Sequence, residues 1–240
     1  MRGAGVVIAE LSEAPPERIG GKALGLARLV RGGLPVPPAV VIPVGEAVAA
    51  DELLTAAERL GEPLVVRSSA SGEDAGKRSA AGQFETLLHV TRAELPASVE
   101  QVRRSATSPR AKAYGADAQM AVVIQRQVRA TRAGVAFSRD PVTGADEVVI
   151  EAVFGYGDAL VSGEAAPDRY RVGADGSVRA RLADKGGATA LLRTLRDDEA
   201  VEVARHVHHA EGIFETPVDV EFCFEGASLW LVQCRPITTL

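Results

Sequence analysis

The feature that most constrains this chain lies near its C-terminal end. Residues 217–224 (Pro-Val-Asp-Val-Glu-Phe-Cys-Phe) and 229–235 (Leu-Trp-Leu-Val-Gln-Cys-Arg) alternate in polarity on either side of Glu225-Gly226-Ala227-Ser228. Alternation with a period of two marks strands, and two such runs around a short turn of small residues make a β-hairpin. On the first strand Asp219, Glu221 and Cys223 share one face, and Val220, Phe222 and Phe224 share the other. The return strand sends Trp230, Val232 and Cys234 one way and Leu229, Leu231, Gln233 and Arg235 the other. A slip of one residue exchanges the faces, so the apolar match sets the register. Phe224 is then expected opposite Trp230 and Phe222 opposite Val232, which puts Glu221 beside Gln233 and Asp219 beside Arg235.

An acid, an amide and a guanidinium on one face admit two readings. A carboxylate and an amide carbonyl are hard oxygen ligands for Mg2+, which takes one or two protein ligands plus phosphate oxygens and water. The guanidinium fork offers paired donors to a phosphoryl group. The same residues also make an ordinary solvated strand with a cross-strand ion pair. The hairpin by itself leaves both open.

Composition narrows the class. A chain of 240 residues can bury one large core or two, and 46% hydrophobic with 25% charged residues is ordinary for a globular protein. The net charge of −5 gives no electrostatic reason to expect nucleic acid. No apolar run reaches membrane-spanning length, and Glu10 comes too early for a secretory signal, so a cytoplasmic location is expected. Cys223 and Cys234 fall on opposite faces of the hairpin, which argues against a disulfide.

Along the chain, Gly20-Gly21-Lys22 opens a helix, where N-terminal amides and a lysine can share an anion. Ala39-Val40-Val41-Ile42 reads as a strand, residues 46–60 as a helix, and Leu64-Val65-Val66-Arg67 as a strand entering a loop rich in serine and glycine. Such a loop can close backbone amides over phosphates, with Arg67 as a fixed charge, or simply form a surface loop. Residues 92–118 read as helical, and strands are expected around residues 120–128, 134–138, 147–153 and 167–172. A helix over 197–212 carries His206, His208 and His209; without a further His or Cys cluster they read as a helix end rather than a metal site. The pattern predicts an α+β fold with a first domain over 1–118 and a second over 119–240.

Taken in order, the segments stop being independent. Gly20-Gly21-Lys22-Ala23, Leu34-Pro35-Val36-Pro37-Pro38, Val66-Arg67-Ser68-Ser69-Ala70 with Glu73-Asp74, and Ala81-Gly82-Gln83-Phe84-Glu85-Thr86 lead the series. Met120-Ala121-Val122-Val123-Ile124-Gln125, Gly134-Val135-Ala136-Phe137 with Asp140-Pro141-Val142-Thr143-Gly144, Leu160-Val161-Ser162-Gly163 and Gln233-Cys234-Arg235-Pro236-Ile237-Thr238 complete it. Together they resemble the nucleotide-binding domain of phosphoenolpyruvate synthase, pyruvate phosphate dikinase and rifampin phosphotransferase. The resemblance implies a two-lobed ATP-grasp fold with ATP held between the lobes. It implies that Lys22 and Arg67 grip phosphates and that loops including Ser69, Gly82 and Gln83 close over the nucleotide. Gln125, with Gln127 and Val128, would sit at the adenine hinge. Glu221 and Gln233 would hold Mg2+, and Arg235 would contact the transferring phosphoryl group.

The departures are specific. The large family members carry a swivelling domain whose histidine takes up the phosphoryl group, and none of His89, His206, His208 and His209 has that domain's Thr-x-His-Ala context. Only 24 residues separate Ile42 from Arg67, where the relatives carry a long helical stretch, and Asp158 replaces a usual glutamate. Three readings follow: phosphoryl transfer to a histidine on a separate domain or protein, direct phosphorylation of a small molecule, and a non-catalytic ATP-binding regulator.

Overall fold

A computed structural model describes residues 8–70, 85–105, 120–157, 166–183 and 192–237. Two compact units emerge, one from Met1–Arg31 with Val36–Gln127 and one from Gly32–Pro35 with Val128–Leu240. The first is built on β1 (Ala9–Glu10), β2 (Ala39–Ile42), β3 (Leu64–Ala70), β4 (Thr86–Val90) and β5 (Met120–Arg126). All pairings are antiparallel, in the order β1-β2-β5-β3-β4. Its central strands are apolar on both faces because helices lie on both. Val40, Ile42, Val66, Val122 and Ile124 face α2 (Ala50–Leu60) and α3 (Leu95–Ser105). Ala39, Val41, Ala121 and Val123 face α1 (Gly20–Arg31). Such double burial turns a strand sequence from alternation into a continuous apolar run.

The boundary expected after residue 118 falls at Gln127 instead. β5 is the middle strand of the first sheet, paired with β2 on one side and β3 on the other, and cannot belong to the second unit. Of the helix expected over 92–118, α3 accounts for the part ending at Ser105, and 106–119 lie outside the described residues.

The second unit holds β6 (Arg132–Phe137), β7 (Val148–Phe154), β8 (Asp168–Val172), β9 (Val178–Arg181), β10 (Val218–Glu225) and β11 (Ser228–Pro236). They form a sheet in the order β11-β10-β6-β7-β8-β9, again antiparallel throughout. The helix α4 (Asp197–Phe214) buries Ala200, Val203, Val207, Ala210 and Phe214 against one face of it. On that face Phe222 and Phe224 meet edge to face, their ring centroids 6.0 Å apart. Gly134 makes room for them: a Cβ there would lie 2.7 Å from the Phe222 ring and 2.3 Å from the Glu151 carbonyl oxygen. Arg132 reaches from β6 to Glu199 of α4, and Glu199 also accepts the Arg196 N–H at 2.9 Å, tying the helix start to the sheet. Among the described residues no helix is long and apolar enough to cross a membrane.

Candidate phosphate and metal site

The hairpin forms with the expected pairs at its functional end: Asp219 opposite Arg235, Val220 opposite Cys234, Glu221 opposite Gln233. Toward the turn the register differs from expectation. Phe222 pairs with Leu231 and Phe224 with Leu229, not with Val232 and Trp230, because Val232 is an extra residue between Leu231 and Gln233. This β-bulge lets Leu229 and Leu231 join the core face while Gln233 and Arg235 stay with Glu221 and Asp219. Trp230, placed by alternation on the apolar face, stands instead opposite Cys223 on the face of Glu221. A bulge also increases local twist and re-aims the side chains beside it, and bulges collect next to active sites for that reason. The Pro35 carbonyl accepts the Leu231 N–H at 2.7 Å at this point, satisfying β11 on its outer edge.

Register carries the functional face across the whole sheet. Gln233, Glu221, Val135, Glu151, Arg169 and Arg181 form one cross-strand row, and Arg235, Asp219, Phe137, Val149, Arg171 and Arg179 the next. Both rows lie on the side away from α4, since the intervening residues Val220, Ile150 and Tyr170 are the buried ones that face it. The Arg235 Nε donates to both carboxylate oxygens of Asp219, at 3.0 and 2.9 Å, so the guanidinium is held in orientation by a side chain that is itself buried. Gln233 is buried and Glu221 half-buried. Burial, and secondarily the charge of Glu221, pushes the Cys223 thiol up to about 12, so it stays protonated and unreactive at neutral pH. The donor set fits Mg2+: one carboxylate and one amide carbonyl as direct neighbours supply hard oxygens and leave the remaining positions to phosphate and water. Among the described residues no group of three or more His, Cys, Asp or Glu side chains converges as a metal cage.

In the first unit Arg67, Ser69 and Gln125 share the sheet face that α1 covers, with Arg67 opposite Val123 and Ser69 opposite Ala121. The Ser69 hydroxyl donates to the Ile19 carbonyl at 2.6 Å and accepts the Ala23 N–H at 3.0 Å. Its role here is to clamp the start of α1 onto β3, which brings Lys22 and Arg67 to the same side of the sheet. Gly20 is the other half of the clamp. Its φ is +69°, and a Cβ would lie 2.3 Å from the Ser69 carbonyl oxygen, so this position requires glycine. Lys22 is half-buried and Arg67 is 9% exposed.

Gln125 donates from Nε2 to the Pro37 carbonyl at 3.3 Å, which binds β5 to the proline segment. The Gln127 side chain accepts the His89 N–H at 2.5 Å, and its backbone N–H donates to Pro63. His89 has φ +57° at the irregularity where β4 pairs with β3, so Gln127 stabilises a strained bulge residue. Gln127 and Val128 are the residues at which the chain passes from the first unit to the second. Gly82, Gln83, Asp158 and the Ser-Gly loop from Ser71 to Asp74 lie outside the described residues.

The comparisons with known proteins bear on this arrangement. Residues 46–240 match the family model for the pyruvate phosphate dikinase AMP/ATP-binding domain. The chain belongs to that family. It is 36% identical over 203 residues to a probable phosphoenolpyruvate synthase of Archaeoglobus fulgidus, covering 74% of this chain and 27% of that protein. It is 32% identical over 283 residues to the prodigiosin synthesizing transferase PigC of Serratia marcescens, covering 93% of this chain and 32% of that protein. A rifampicin phosphotransferase of a Streptomyces species is 34% identical over 262 residues, with 97% and 29% covered. The chain thus spans about a third or less of the length of these relatives. Among solved structures, PH1788 from Pyrococcus horikoshii shares 17% identity at a TM-score of 0.52, covering 90% of this chain and 91% of that one. At that identity the likeness speaks to the fold alone, and the fold of both units is the α+β ATP-grasp type.

Proposed function

We propose that this chain is the nucleotide-handling part of an ATP-dependent phosphotransferase, which passes a phosphoryl group from Mg-ATP to a histidine on a separate domain or protein. The observation that carries this reading is the bulged hairpin, which holds Glu221 beside Gln233 and orients Arg235 through Asp219. Phosphoryl transfer asks for positioning and charge neutralisation more than for covalent chemistry, and this set supplies both. Glu221 and Gln233 would hold Mg2+, which when bound neutralises phosphate charge. Arg235 would stabilise charge on the transferred group, while Lys22 and Arg67 would bind phosphates from the first unit and Gln127 and Val128 would flank the adenine.

Of the chain's four histidines, His89 is tied to Gln127, the His206 Nδ1 lies 2.9 Å from the Glu202 carbonyl and His208 lies 3.6 Å from Glu211, so three have partners of their own, which supports an acceptor histidine on another domain or protein. The names of the relatives, among them a rifampicin phosphotransferase, also support a small-molecule acceptor taking the phosphoryl group in place of a histidine.

The test is to incubate the chain with magnesium and ATP labelled in the β and γ positions, alone and with the family's histidine-bearing swivelling domain added in trans. Acid-labile label on the added domain, with matching loss of ATP, is the expected result. Binding of ATP without label transfer would leave the chain as a regulator. Label on an added small molecule such as rifampicin would favour the direct kinase.

A further inference from the structure

The face that carries Glu221 and Gln233 continues past β6 and β7 onto the β8–β9 hairpin. There Arg169 stands opposite Arg181 and Arg171 opposite Arg179. Like charges directly opposite each other weaken strand pairing, so two such pairs on one face need a reason. Edge protection explains charge on β9, the last strand of the sheet, because exposed edges are commonly guarded by basic residues. It does not explain Arg169 and Arg171, since β8 is paired on both sides.

Among the described residues, acids on the β7 side hold the cluster in place without neutralising it. Glu151 pairs with Arg169, Asp140 and Glu147 with Arg171, and Glu147 with Arg179. Three carboxylates thus face four guanidiniums, and Arg181 has no ion pair among the described residues. The Asp140 and Glu147 side chains are 1% and 15% exposed, whereas those of Arg169 and Arg179 are 49% and 73% exposed, so the acids lie inward and the cations outward. Arg171 makes its ion pairs through Nη1 and Arg179 through Nη2. A guanidinium carries five N–H donors in one plane, so each retains donor capacity toward solvent. The four arginines and Ala180 line a depression of about 250 Å³.

We propose that this depression is an oxyanion subsite that takes a multivalent phosphate-type anion, either free or borne on an organic molecule. Planar forked donors suit phosphate, and a small concave site suits a compact anion better than a broad protein surface. The subsite is separate from the Glu221–Gln233 pair: β8 is three strands from β10, roughly 14 Å at ~4.8 Å per strand. It therefore stands whether or not the nucleotide reading does.

The test is calorimetric titration at low ionic strength, with the chain first saturated by a non-hydrolysable ATP analogue so that the metal and phosphate site is occupied. Inorganic pyrophosphate and glucose 6-phosphate are the two probes. One probe is expected to bind once per chain, to weaken at least tenfold in the Arg179→Gln/Arg181→Gln variant, and to keep its affinity in Glu221→Gln. Tighter pyrophosphate identifies a free polyphosphate as the ligand, and tighter glucose 6-phosphate identifies a phosphate carried on an organic molecule. Both substituted arginines are exposed, and an unchanged melting temperature confirms that the fold survives. Equal affinity in the double variant, or no binding of either probe, overturns the proposal. Failure of the ATP analogue to bind overturns the nucleotide reading and leaves the subsite test intact.

Discussion

Ser69 shows how far a single residue can be read in advance. Its position in a Val-Arg-Ser-Ser-Ala run marked it for the nucleotide loop, yet its hydroxyl is spent on Ile19 and Ala23, closing the contact between β3 and the start of α1. No sequence rule announces a bond between residues 46 and 50 positions apart; only Gly20 hinted at it, as a glycine where a helix begins. Ser69→Ala leaves the Ala23 N–H and the Ile19 carbonyl without this partner, at a cost of about 1–3 kcal/mol for each group left unsatisfied. The expected result is a fall in melting temperature of at least a few degrees together with weaker ATP binding, because α1 also carries Lys22. Lys22→Ala separates the two effects: ATP affinity is expected to fall by about tenfold with the melting temperature nearly unchanged, the size of one lost charge-assisted bond. Unchanged affinity in a nucleotide titration would remove Lys22 from the site. Glu221→Ala is expected to abolish magnesium-dependent turnover while leaving the melt within a degree or two, since Glu221 is half-buried and outside the apolar core.

At the scale of elements, periodicity was legible wherever one face of a strand is buried and misleading where the chain departs from regularity. The functional half of the hairpin followed from alternation alone, while its turn half was displaced by Val232. A bulge residue is invisible to a period-two reading, because the extra residue is a valine that fits either face. β9 was not anticipated either: Val-Arg-Ala-Arg has little apolar face, and its pairing rests on β8 rather than on a core. The bulge itself can be tested. Deleting Val232 restores plain alternation and keeps every neighbour on its present face, with Leu231 still opposite Phe222 and Gln233 still opposite Glu221. What it removes is the local twist that aims Gln233 and Arg235. The shortened hairpin is therefore expected to fold with little change in stability and to lose at least tenfold in turnover, measured by ATP consumption with the acceptor present. Wild-type turnover in the deletion variant would reduce the bulge to an accident of packing.

For the whole molecule, the order of motifs along the chain disclosed the family and fold, whereas the partition into units was missed because β5 reads equally well as a strand of either sheet. Charge placement at this scale sets the response to acid. Asp140 closes the turn after β6, accepting N–H bonds from Val142 at 2.8 Å and Thr143 at 3.2 Å, and it pairs with Arg171. The Val142 N–H first, and the Arg171 guanidinium next, lower its carboxyl to about 2. Thr91 lowers Glu94, Ser177 lowers Asp175 and Arg196 lowers Asp198 in the same direction. A carboxyl depressed in the folded state contributes stability that is fully present above its unfolded pKa, about 4, and lost as pH falls through the folded value. Protons bind the unfolded chain first, so the urea midpoint is expected to hold between pH 7 and about pH 5 and then fall steadily toward pH 2. Asp140→Asn retains an acceptor for Val142 but has no charge to titrate or to set against Arg171. It should be less stable at pH 7 and show a shallower acid slope, the two curves converging near pH 2. Parallel curves across that range would mean that the Asp140 turn, which anchors the same Arg171 that lines the arginine depression, contributes nothing through its charge.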